Sequence, residues 1–545
     1  MTQKLILLVL LNASISLSQW NSAGVAVVDT TGGFGYPKMV ADGRGGGYII
    51  WMDARNGTNY GVFVQRLDSS GKEVFPHNGV PVVEAQNYPQ LNLCASDGKG
   101  GIFFTWFDQR DTIHGYIYAQ HMDSNGKMLW QKNGVKASDI EGLGGQVVAD
   151  GAGGCIINFT TDYEMIVQRL DSSGGRVWGD TGISQTNSNG FINFWHSASD
   201  GKGGIIVCWL QSQNPESSDT NSVYAQRIRH DGSIAWKQNG VRLSDVDILR
   251  RYLVYITSDD NSGAIIAWSS GSNTETRAQR IDSSGSLLWG NNGVFINYGG
   301  MGNTSPISDQ KGGAIIQSTI PFTIGGGKLY RINPSGIHLW QGGITFTSGN
   351  NNWDWPWLAS DGSSGVIVVF NNDFNADTTD IIAQRIDSSG VVQWGANGVS
   401  LSTHTRTFKT HAVAVSDGEG GAIAVWDEFQ LHGTYAGRIS SVGKVVTDVP
   451  FHSDFSIPEK VELHQNYPNP FNPETIIKYQ LPAVTNVRLA VFDILGRELA
   501  TLANEQQGPG EYSVKLNAEN YGSGIYFYRL TTGLLSITKK MVIIR

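Results

Sequence analysis

Two short segments of the sequence each place a carboxylate and a guanidinium two residues apart, behind a tryptophan. They are Trp51-x-Asp53-x-Arg55 and Trp106-x-Asp108-x-Arg110. His114 follows the second segment closely. Two carboxylates that converge could share general acid and general base work, as in glycoside hydrolysis. An arginine beside a carboxylate lowers its pKa, however, and such pairs usually hold structure together. We therefore predict binding at Asp53, Arg55, Asp108 and Arg110, and name no catalytic residue.

A second candidate site is aromatic. Trp353, Trp355 and Trp357 occupy alternate positions, so one face of an extended segment would carry three indole rings. Such a face could stack on sugar rings. In the alternative, the segment only leads into a strand, as Tyr36-Pro37 would in the first repeat, and its rings are packing.

A third candidate site is metal-binding. Asp373, Asn375 and Asp377 place side-chain oxygen atoms at alternate positions, which suits Ca²⁺. The glycine and the closing glutamate of a full calcium loop are missing, so a solvated polar loop is the alternative. Calcium is the one cofactor that the sequence suggests.

The histidines and cysteines form no recognisable site. Four histidines stand out without metal-ligand spacing: His196, His404, His411 and His432. Three cysteines lie at unrelated positions of three repeats: Cys94, Cys155 and Cys208. An odd number without regular spacing predicts buried free thiols rather than disulfides.

A recurring glycine turn must position all of these residues. Its full form is Asp-Gly-x-Gly-Gly, and its eight copies begin at Asp42, Asp97, Asp150, Asp200, Asp259, Asp309, Asp361 and Asp417. The mean period is about 54 residues. An apolar run follows each turn and ends in Trp or Phe, except at Ser318 in the sixth repeat. A third run then leads to a second turn, such as Asp282 to Gly285, and a fourth ends on an aromatic residue such as Trp289.

Four antiparallel strands per repeat, eight times over, predict an all-β fold, an eight-bladed β-propeller. An open β-solenoid is the alternative. Closure is favoured because the eighth repeat stops at Gly443, before its Trp-x-x-Asn-Gly-Val segment. A matching segment, Trp20 to Val25, stands at the other end of the chain. We therefore predict that the N-terminal strand completes the last blade.

The turn that ends in tryptophan resembles the tryptophan-docking repeat of eight-bladed quinoprotein-type propellers. Asp282, Gly285 and Trp289 carry the likeness, although the turn is one residue shorter and lacks the threonine before the glycine. It resembles the aspartate box of sialidases more loosely. Both resemblances imply fold alone, without a quinone cofactor. An arginine recurs at one position of seven repeats, and we interpret this ring of arginines as structural.

Loop lengths indicate where a ligand would bind. The turns after the first and third strands are short and uniform, whereas those after the second and fourth vary. Examples of the variable set are Arg55–Tyr60, Gln211–Ser222, Ser348–Trp357 and Asn371–Asp380. Variable loops on a rigid scaffold usually carry binding residues. We place any site on this face, at the mouth of the central channel.

The start of the chain and its charge bear on location and partners. Residues 1–18 have the Lys4 and the short apolar run of a secretory signal peptide, which leaves a propeller over residues 19–450. No later run is long enough for a transmembrane helix. The net charge of −9 argues against nucleic-acid binding.

Residues 456–545 form a separate module. Strand-like runs and turns predict an Ig-like β-sandwich. The segments Asn466–Thr475, Val491–Arg497, Ser523–Tyr528 and Lys539–Val542 resemble, in order, the C-terminal sorting domain of the type IX secretion system. The resemblance implies periplasmic transit, export by that machinery, and release or attachment at the outer cell surface.

Our leading hypothesis is a secreted or surface propeller that binds a glycan or a protein. The alternatives are an extracellular hydrolase that acts on polysaccharide or glycoconjugate through the Asp–Arg segments, and a purely structural surface protein. The sequence favours a non-enzyme.

Overall fold

The described part of the chain contains 40 strands and no helix. The computed structural model describes residues 20–29, 34–55, 61–83, 90–110, 114–161, 163–185, 191–214, 217–245, 248–249, 253–270, 275–298, 304–318, 327–346, 356–375, 378–404, 407–429, 431, 433–447, 460–481, 485–507, 510–533 and 535–544. Short apolar runs rich in Ile and Val, separated by Gly and Asp turns, favour strands over helices. The predicted all-β class is confirmed. The predicted signal peptide lies outside the described residues.

The chain divides into two units. The first comprises Met1–Phe429 and Gly433–Pro450, and the second comprises Gln430–His432 and Phe451–Arg545.

The first half of the first unit contains seventeen strands: β1 (Val25–Val28), β2 (Phe34–Ala41), β3 (Gly47–Asp53), β4 (Gly61–Leu67), β5 (Val80–Val83), β6 (Gln90–Ser96), β7 (Ile102–Asp108), β8 (Tyr116–Met122), β9 (Val135–Lys136), β10 (Leu143–Ala149), β11 (Cys155–Thr160), β12 (Met165–Leu170), β13 (Ile183–Ser184), β14 (Ile192–Ser199), β15 (Ile205–Asn214), β16 (Ser217–Ile228) and β17 (Val241–Arg242). The rest of the unit contains β18 (Ile248–Leu249), β19 (Val254–Ser258), β20 (Ala264–Ser270), β21 (Glu275–Ile281), β22 (Val294–Tyr298), β23 (Pro306–Ser308), β24 (Ala314–Ser318), β25 (Lys328–Ile332), β26 (Ile344–Thr345), β27 (Trp357–Ser360), β28 (Val366–Asn375), β29 (Thr378–Ile386), β30 (Val399–Ser400), β31 (Lys409–Ser416), β32 (Ala422–Glu428) and β33 (Gly433–Ile439).

These strands form eight antiparallel sheets, one for each glycine turn, as far as the described residues extend. Seven of them run through consecutive strands, beginning with β2-β3-β4-β5, and one of the seven adds β18 at its edge. The eighth has the order β1-β33-β32-β31. In it Val25 pairs with Ala436 and Ala26 with Tyr435. The N-terminal strand therefore completes the last sheet, as the unfinished eighth repeat predicts.

The first strands of the sheets lie side by side in a closed ring. The order is β2, β6, β10, β14, β19, β23, β27 and β31, and β31 lies against β2. The innermost strand of every sheet thus faces a common central channel.

One polar device repeats between neighbouring sheets. Asp200 accepts hydrogen bonds from the backbone amides of its own glycine turn through Oδ1. Its Oδ2 accepts from Nε and Nη2 of Arg227, at 2.9 and 2.8 Å. Arg227 also donates to the Ser283 carbonyl of the next sheet, at 3.1 Å. Trp236 donates to the same carbonyl at 3.2 Å. The Ser283 carbonyl oxygen of the next sheet thus accepts hydrogen bonds from both Arg227 and Trp236, and Asp200 holds the arginine in place.

The same device closes the ring. Arg438 of the last sheet donates to the Ser69 carbonyl of the first sheet at 2.9 Å, and Trp20 donates to that carbonyl at 3.0 Å. The recurring arginines therefore have the structural role that the sequence predicts. In the second sheet His121 takes the arginine's place and lies 3.0 Å from the Asp97 carboxylate.

The sixth sheet shows how the missing tryptophan at Ser318 is replaced. In five other sheets this residue is a tryptophan that packs on a glycine before the fourth strand, as Trp106 does on Gly134. In the sixth sheet Tyr330 reaches the corresponding Gly343, where an added Cβ would lie 2.6 Å from its ring. Tyr330 occupies the strand position that holds a glutamine in six of the other sheets. Tyr330 of β25 therefore fills the space that a tryptophan of β24 would occupy.

Two of the predicted variable loops are strands. Gln211 pairs with Ser222 and Ser212 with Asn221, so β15 and β16 extend through most of Gln211–Ser222. β28 and β29 likewise extend through Asn371–Asp380. These segments are rich in Asn, Ser and Asp, which favour turns in isolation, but pairing within a long hairpin satisfies the backbone.

The second unit contains two packed sheets. Its strands are β34 (Glu462–Leu463), β35 (Glu474–Leu481), β36 (Thr485–Phe492), β37 (Glu498–Gln507), β38 (Gly510–Asn517), β39 (Gly524–Thr532) and β40 (Leu535–Ile543). The sheets have the orders β34-β35-β38 and β37-β36-β39-β40. Ile477, Leu489 and Tyr528 are fully buried between them.

A histidine near the ring closure gives a pH-dependent contribution to stability. His77 contacts Asp29, just past β1, and Glu73. The hydrogen bond to Asp29, against the cost of desolvation and with the help of Glu73, raises the pKa of His77 to about 9. Because the pKa of His77 is higher in the folded state than its value near 6.5 in the unfolded chain, protonation of His77 stabilises the fold. This stabilisation is complete below pH 6.5 and is lost as the pH rises through about 9.

We expect the free energy of unfolding to fall by about 1 kcal/mol or less between pH 6.5 and 9, because water screens half-exposed pairs. His77→Gln should remove this part of the pH dependence. The measurement is denaturant unfolding of both proteins across that range. Parallel curves for the two proteins would contradict the assignment.

Candidate functional site

The first Asp–Arg pair is bonded within itself. The Asp53 carboxylate accepts hydrogen bonds from the backbone amide and the guanidinium of Arg55, and its Oδ2 lies 3.3 Å from the Trp51 indole nitrogen. Arg55 lies over the ring of Phe63, 4.1 Å from its centroid, and donates to the Asn78 carbonyl at 2.7 Å. The pair therefore anchors the start of a loop to the outer strand.

The second pair repeats this geometry. Arg110 binds the Asp108 carboxylate, lies 4.0 Å from the Tyr118 ring centroid, and donates to the Asn133 carbonyl at 2.8 Å. Asp53 and Asp108 are both buried. Each carboxylate is held by its own arginine, which is the arrangement of a structural ion pair and gives no support to a hydrolase that uses these two acids.

His114 does not join the second pair. Its Nδ1 lies 2.9 Å from Glu141, a residue of the next repeat. Both side chains are exposed.

Of the three tryptophans of the aromatic candidate, the structure describes Trp357. It is the first residue of β27, and 39 % of its surface is exposed. Trp353 and Trp355 lie outside the described residues. The sugar-stacking platform stays a prediction that Trp357 alone supports.

The calcium candidate lies on a hairpin. The backbones of Asp373 and Asn375 belong to β28, and their partners in β29 are Thr379 and Thr378. The side chains of these two residues, and all of Asp377, lie outside the described part of the chain. Among the described residues no group of three His, Cys, Asp or Glu side chains is arranged to hold a metal ion.

A cavity opens at the inner ends of four consecutive sheets. Its volume is about 460 Å³. We call it the channel pocket, and its lining residues are Lys38, Met52, Leu91, Leu93, Gly144, Gly145, Gln146, Phe194, Trp195 and His196. Most of them belong to the first strands β2, β6, β10 and β14, which line the central channel. Small-ligand sites have this volume and this mainly apolar lining.

Phe194 projects into the pocket from a strained backbone. Its φ is +45°, a value that bulky residues seldom adopt. The strain accompanies a bulge in β14 between Asn193 and Trp195. Phe194 is 38 % exposed although it is large and apolar. Bulges and left-handed non-glycine residues occur often at binding sites, where they re-aim a side chain.

Trp195 forms the adjacent wall. Its indole donates to the Gly144 carbonyl at 3.2 Å. Gly144 has a φ of +68°, and a Cβ there would lie 2.3 Å from the Trp195 ring. The ring can lie flat against β10 because this position is a glycine.

The ionisable groups in and beside the pocket, Lys38, His196 and the neighbouring Cys94, are shifted towards their neutral forms. Burial lowers the pKa of Lys38, while the Cys94 thiol acts in the opposite direction. Burial raises the pKa of Cys94 to about 12 and lowers the pKa of His196 to about 4. His196 stacks on Tyr255, with 4.4 Å between ring centroids. Among the described lining residues, the basic side chains are therefore Lys38 and His196, and burial disfavours the charged form of both.

A separate polar cluster is buried where β29, β31 and β32 meet. Lys409 donates to the carbonyls of Thr379 and His404, at 3.1 and 2.7 Å. Glu428 accepts from Trp426 at 2.9 Å and lies 2.9 Å from His404. Burial raises the pKa of Asp380 beside them. Glu428 and Lys409 are almost fully buried, so the cluster links two sheets rather than facing a ligand.

Sequence reasoning missed the channel pocket and this cluster. Nothing in the sequence marks Phe194 or Trp195, because their exposure depends on a bulge. Lys38 interrupts an otherwise apolar first strand, and that interruption is the available signal. His404 and His411 were interpreted as scattered, yet each lies beside a carboxylate of β32.

Comparison with protein families bears on the second unit. Residues 465–544 match the family model of the secretion system C-terminal sorting domain. This segment is a sorting domain. A domain of the type IX system implies secretion to the cell surface or to the outside, as the sequence resemblance predicts. No helix in the described residues is long and apolar enough to cross a membrane.

Solved structures with similar folds share little sequence with this chain. PorZ, a surface component of the type IX secretion system of Porphyromonas gingivalis, is 11% identical, with a TM-score of 0.33 over 91% of this chain and 74% of PorZ. The lectin BP39L of Burkholderia pseudomallei is 11% identical, with a TM-score of 0.43 over 76% of this chain and 99% of the lectin.

A quinoprotein alcohol dehydrogenase-like protein of Bacteroides thetaiotaomicron is 10% identical, with a TM-score of 0.32 over 66% of this chain and 83% of that one. A comparison with curated proteins finds no match.

Proposed function

We propose that this protein is a ligand-binding propeller of the cell surface or the secreted fraction, and that its ligand occupies the channel pocket. The observation that carries the proposal is Phe194, a bulky residue held at positive φ and exposed within an apolar cavity. Left-handed backbone costs a non-glycine residue about 1–2 kcal/mol, so a large apolar side chain exposed at such a position is unusual.

The two ends of the sheets support the same location. At the end of the sheets that carries the glycine turns, the Asp and Arg side chains bond to each other and to a carbonyl of the next sheet. Few of their hydrogen-bond donors are then available to a ligand. The pocket residues Leu91, Gly144 and Phe194 stand near the starts of their strands, at the opposite end. A ligand would approach from the variable-loop face, and a glycan or a protein segment could reach it there.

Phe194→Gly tests the proposal. We expect the variant to unfold within about 1 kcal/mol of the parent, since relief of strain offsets the loss of a half-exposed ring. Binding should fall at least tenfold. The measurement is binding of the mature protein to a glycan array and a peptide display library, before and after the substitution.

His411→Gly is the matched control, because His411 has a φ of +54° at a bulge in β31 that does not line the pocket. It should bind as the parent does. An unchanged binding pattern in Phe194→Gly, or no ligand for the parent protein, would refute the proposal.

A further inference from the structure

The channel pocket contains a lysine amine that has no counter-ion among the described residues. Lys38 lines the pocket and is half buried. Within the described part of the chain no carboxylate lies within ion-pair distance of its amine, and Cys94, the one group that acts on it electrostatically, is neutral at pH 7. None of the lining residues is acidic. The charged form of this lysine therefore bears a desolvation cost that no carboxylate of the described residues offsets.

The rest of the pocket offers few hydrogen bonds. Gln146 donates to the Trp195 carbonyl at 2.8 Å and accepts from Ser197 at 3.1 Å. The Gly144 carbonyl accepts from Trp195, and the Gly145 carbonyl accepts from Thr105 at 2.8 Å. A sugar ring would bury several hydroxyl groups against Leu91, Leu93 and Met52 without partners, at a cost for each unpaired group.

We infer that the ligand of the channel pocket carries a single carboxylate on an apolar, preferably aromatic, body. The carboxylate would pair with the Lys38 amine, and the apolar body would lie between Phe194, Trp195 and the side chains of β6. This inference rests on the proposed function and names the chemical class of its ligand. A free organic acid and the C-terminus of a peptide that ends in an apolar residue share this chemistry.

The charge of the whole chain makes Lys38 selective. The net charge is −9, so an anion gains nothing from the protein surface as a whole. A carboxylate that enters the pocket meets one positive charge in a region of low dielectric, where a charge-assisted hydrogen bond contributes most. A second negative charge on the ligand would have no partner among the lining residues.

The test uses matched acids and amides. The probes are 3-phenylpropionate and acetyl-glycyl-phenylalanine, each with its primary amide, and digalacturonate as an acidic sugar. Binding to the mature full-length protein is measured by calorimetry. We expect both acids to bind, the amides to bind about 10- to 100-fold more weakly, and digalacturonate not to bind. The tighter of the two acids identifies the source of the carboxylate.

Three variants separate the possible results. Lys38→Met should weaken acid binding about 10- to 100-fold and leave amide binding unchanged. It should not lower the free energy of unfolding, because an uncompensated buried amine is replaced by an apolar chain of similar length. Lys38→Arg should keep most of the affinity. Lys99→Met, which removes an exposed lysine from a glycine turn, should bind like the parent.

The inference and the proposed function fail in different ways. If acids and amides bind equally, lose affinity together in Phe194→Gly and ignore Lys38→Met, the pocket binds a ligand but the carboxylate assignment is wrong. Preference for digalacturonate would refute the apolar body. If no probe binds, or if Phe194→Gly leaves binding of the probes intact, the inference fails, and the glycan and peptide screens then decide the proposed function alone.

Discussion

Replacing Trp20 with alanine should lower the free energy of unfolding of the first unit by about 3–5 kcal/mol, the usual cost of removing a fully buried tryptophan. Trp20 is 1% exposed, packs on Gly71 of the first sheet and donates to the Ser69 carbonyl. The substitution removes a large side chain and leaves that carbonyl without its indole partner. Denaturant unfolding of the mature protein, followed by tryptophan fluorescence, measures the loss.

Trp289→Ala is the matched control. Trp289 makes the same contact between the fifth and sixth sheets, away from the ring closure, and donates to the Pro334 carbonyl at 3.0 Å. Both variants should lose similar stability. Only Trp20→Ala should release β1, and so only it should speed hydrogen exchange at the amides of β33. Unchanged exchange in β33, or a loss of less than 1 kcal/mol, would show that Trp20 does not hold the ring closed.

Asp200→Ala should cost a similar amount, about 3–5 kcal/mol, for a different reason. Asp200 and Arg227 are 1% and 6% exposed, so removing the carboxylate leaves a buried guanidinium without its counter-charge. The turn also loses the acceptor for the amides of Lys202 and Gly204. The midpoint of denaturant unfolding, with the slope checked for constancy, gives the change.

The double substitution Asp200→Ala with Arg227→Met separates the cost of the unpaired guanidinium from the cost of the lost acceptor for the turn amides. It should recover part of the loss, because no uncompensated charge then remains. Asp231→Ala, at an exposed turn of the same repeat, should cost about 1 kcal/mol or less. A double variant no more stable than Asp200→Ala would show that the turn amides, rather than the ion pair, carry the contribution.

The repeat determined how much of the fold could be predicted. Tight turns are encoded locally, by Asp and Gly at fixed spacing, so the sheets and the closing strand β1 follow from counting them. β37 was not predicted, since Glu498–Gln507 is rich in Glu, Ala, Leu and Gln, which favour helix. Its pairing with β36 overrides that preference. Tyr330 was missed because the residue that fills the place of Trp comes from another strand.

The candidate site was less predictable than the fold. Asp53 and Asp108 were chosen for their chemistry, but the sequence did not indicate that Arg55, which binds Asp53, would also be held by Asn78, a residue distant in sequence. Phe194 and Lys38 were overlooked because both lie in strands whose exposure depends on the shape of the channel. The general location, at the variable-loop end of the channel, was a prediction that the pocket supports.

The contact between the first and last sheets also determines when the ring can close during synthesis of the chain. Arg438 and Ser69 are 369 residues apart along the chain, and β1 pairs with a strand still more distant. During synthesis β1 leaves the ribosome long before β33, so seven sheets are made before the partner of β1 exists. Contacts between such distant segments form slowly. A chain that terminates before β33 cannot form this contact, so the closed ring distinguishes molecules with all eight sheets from shorter ones.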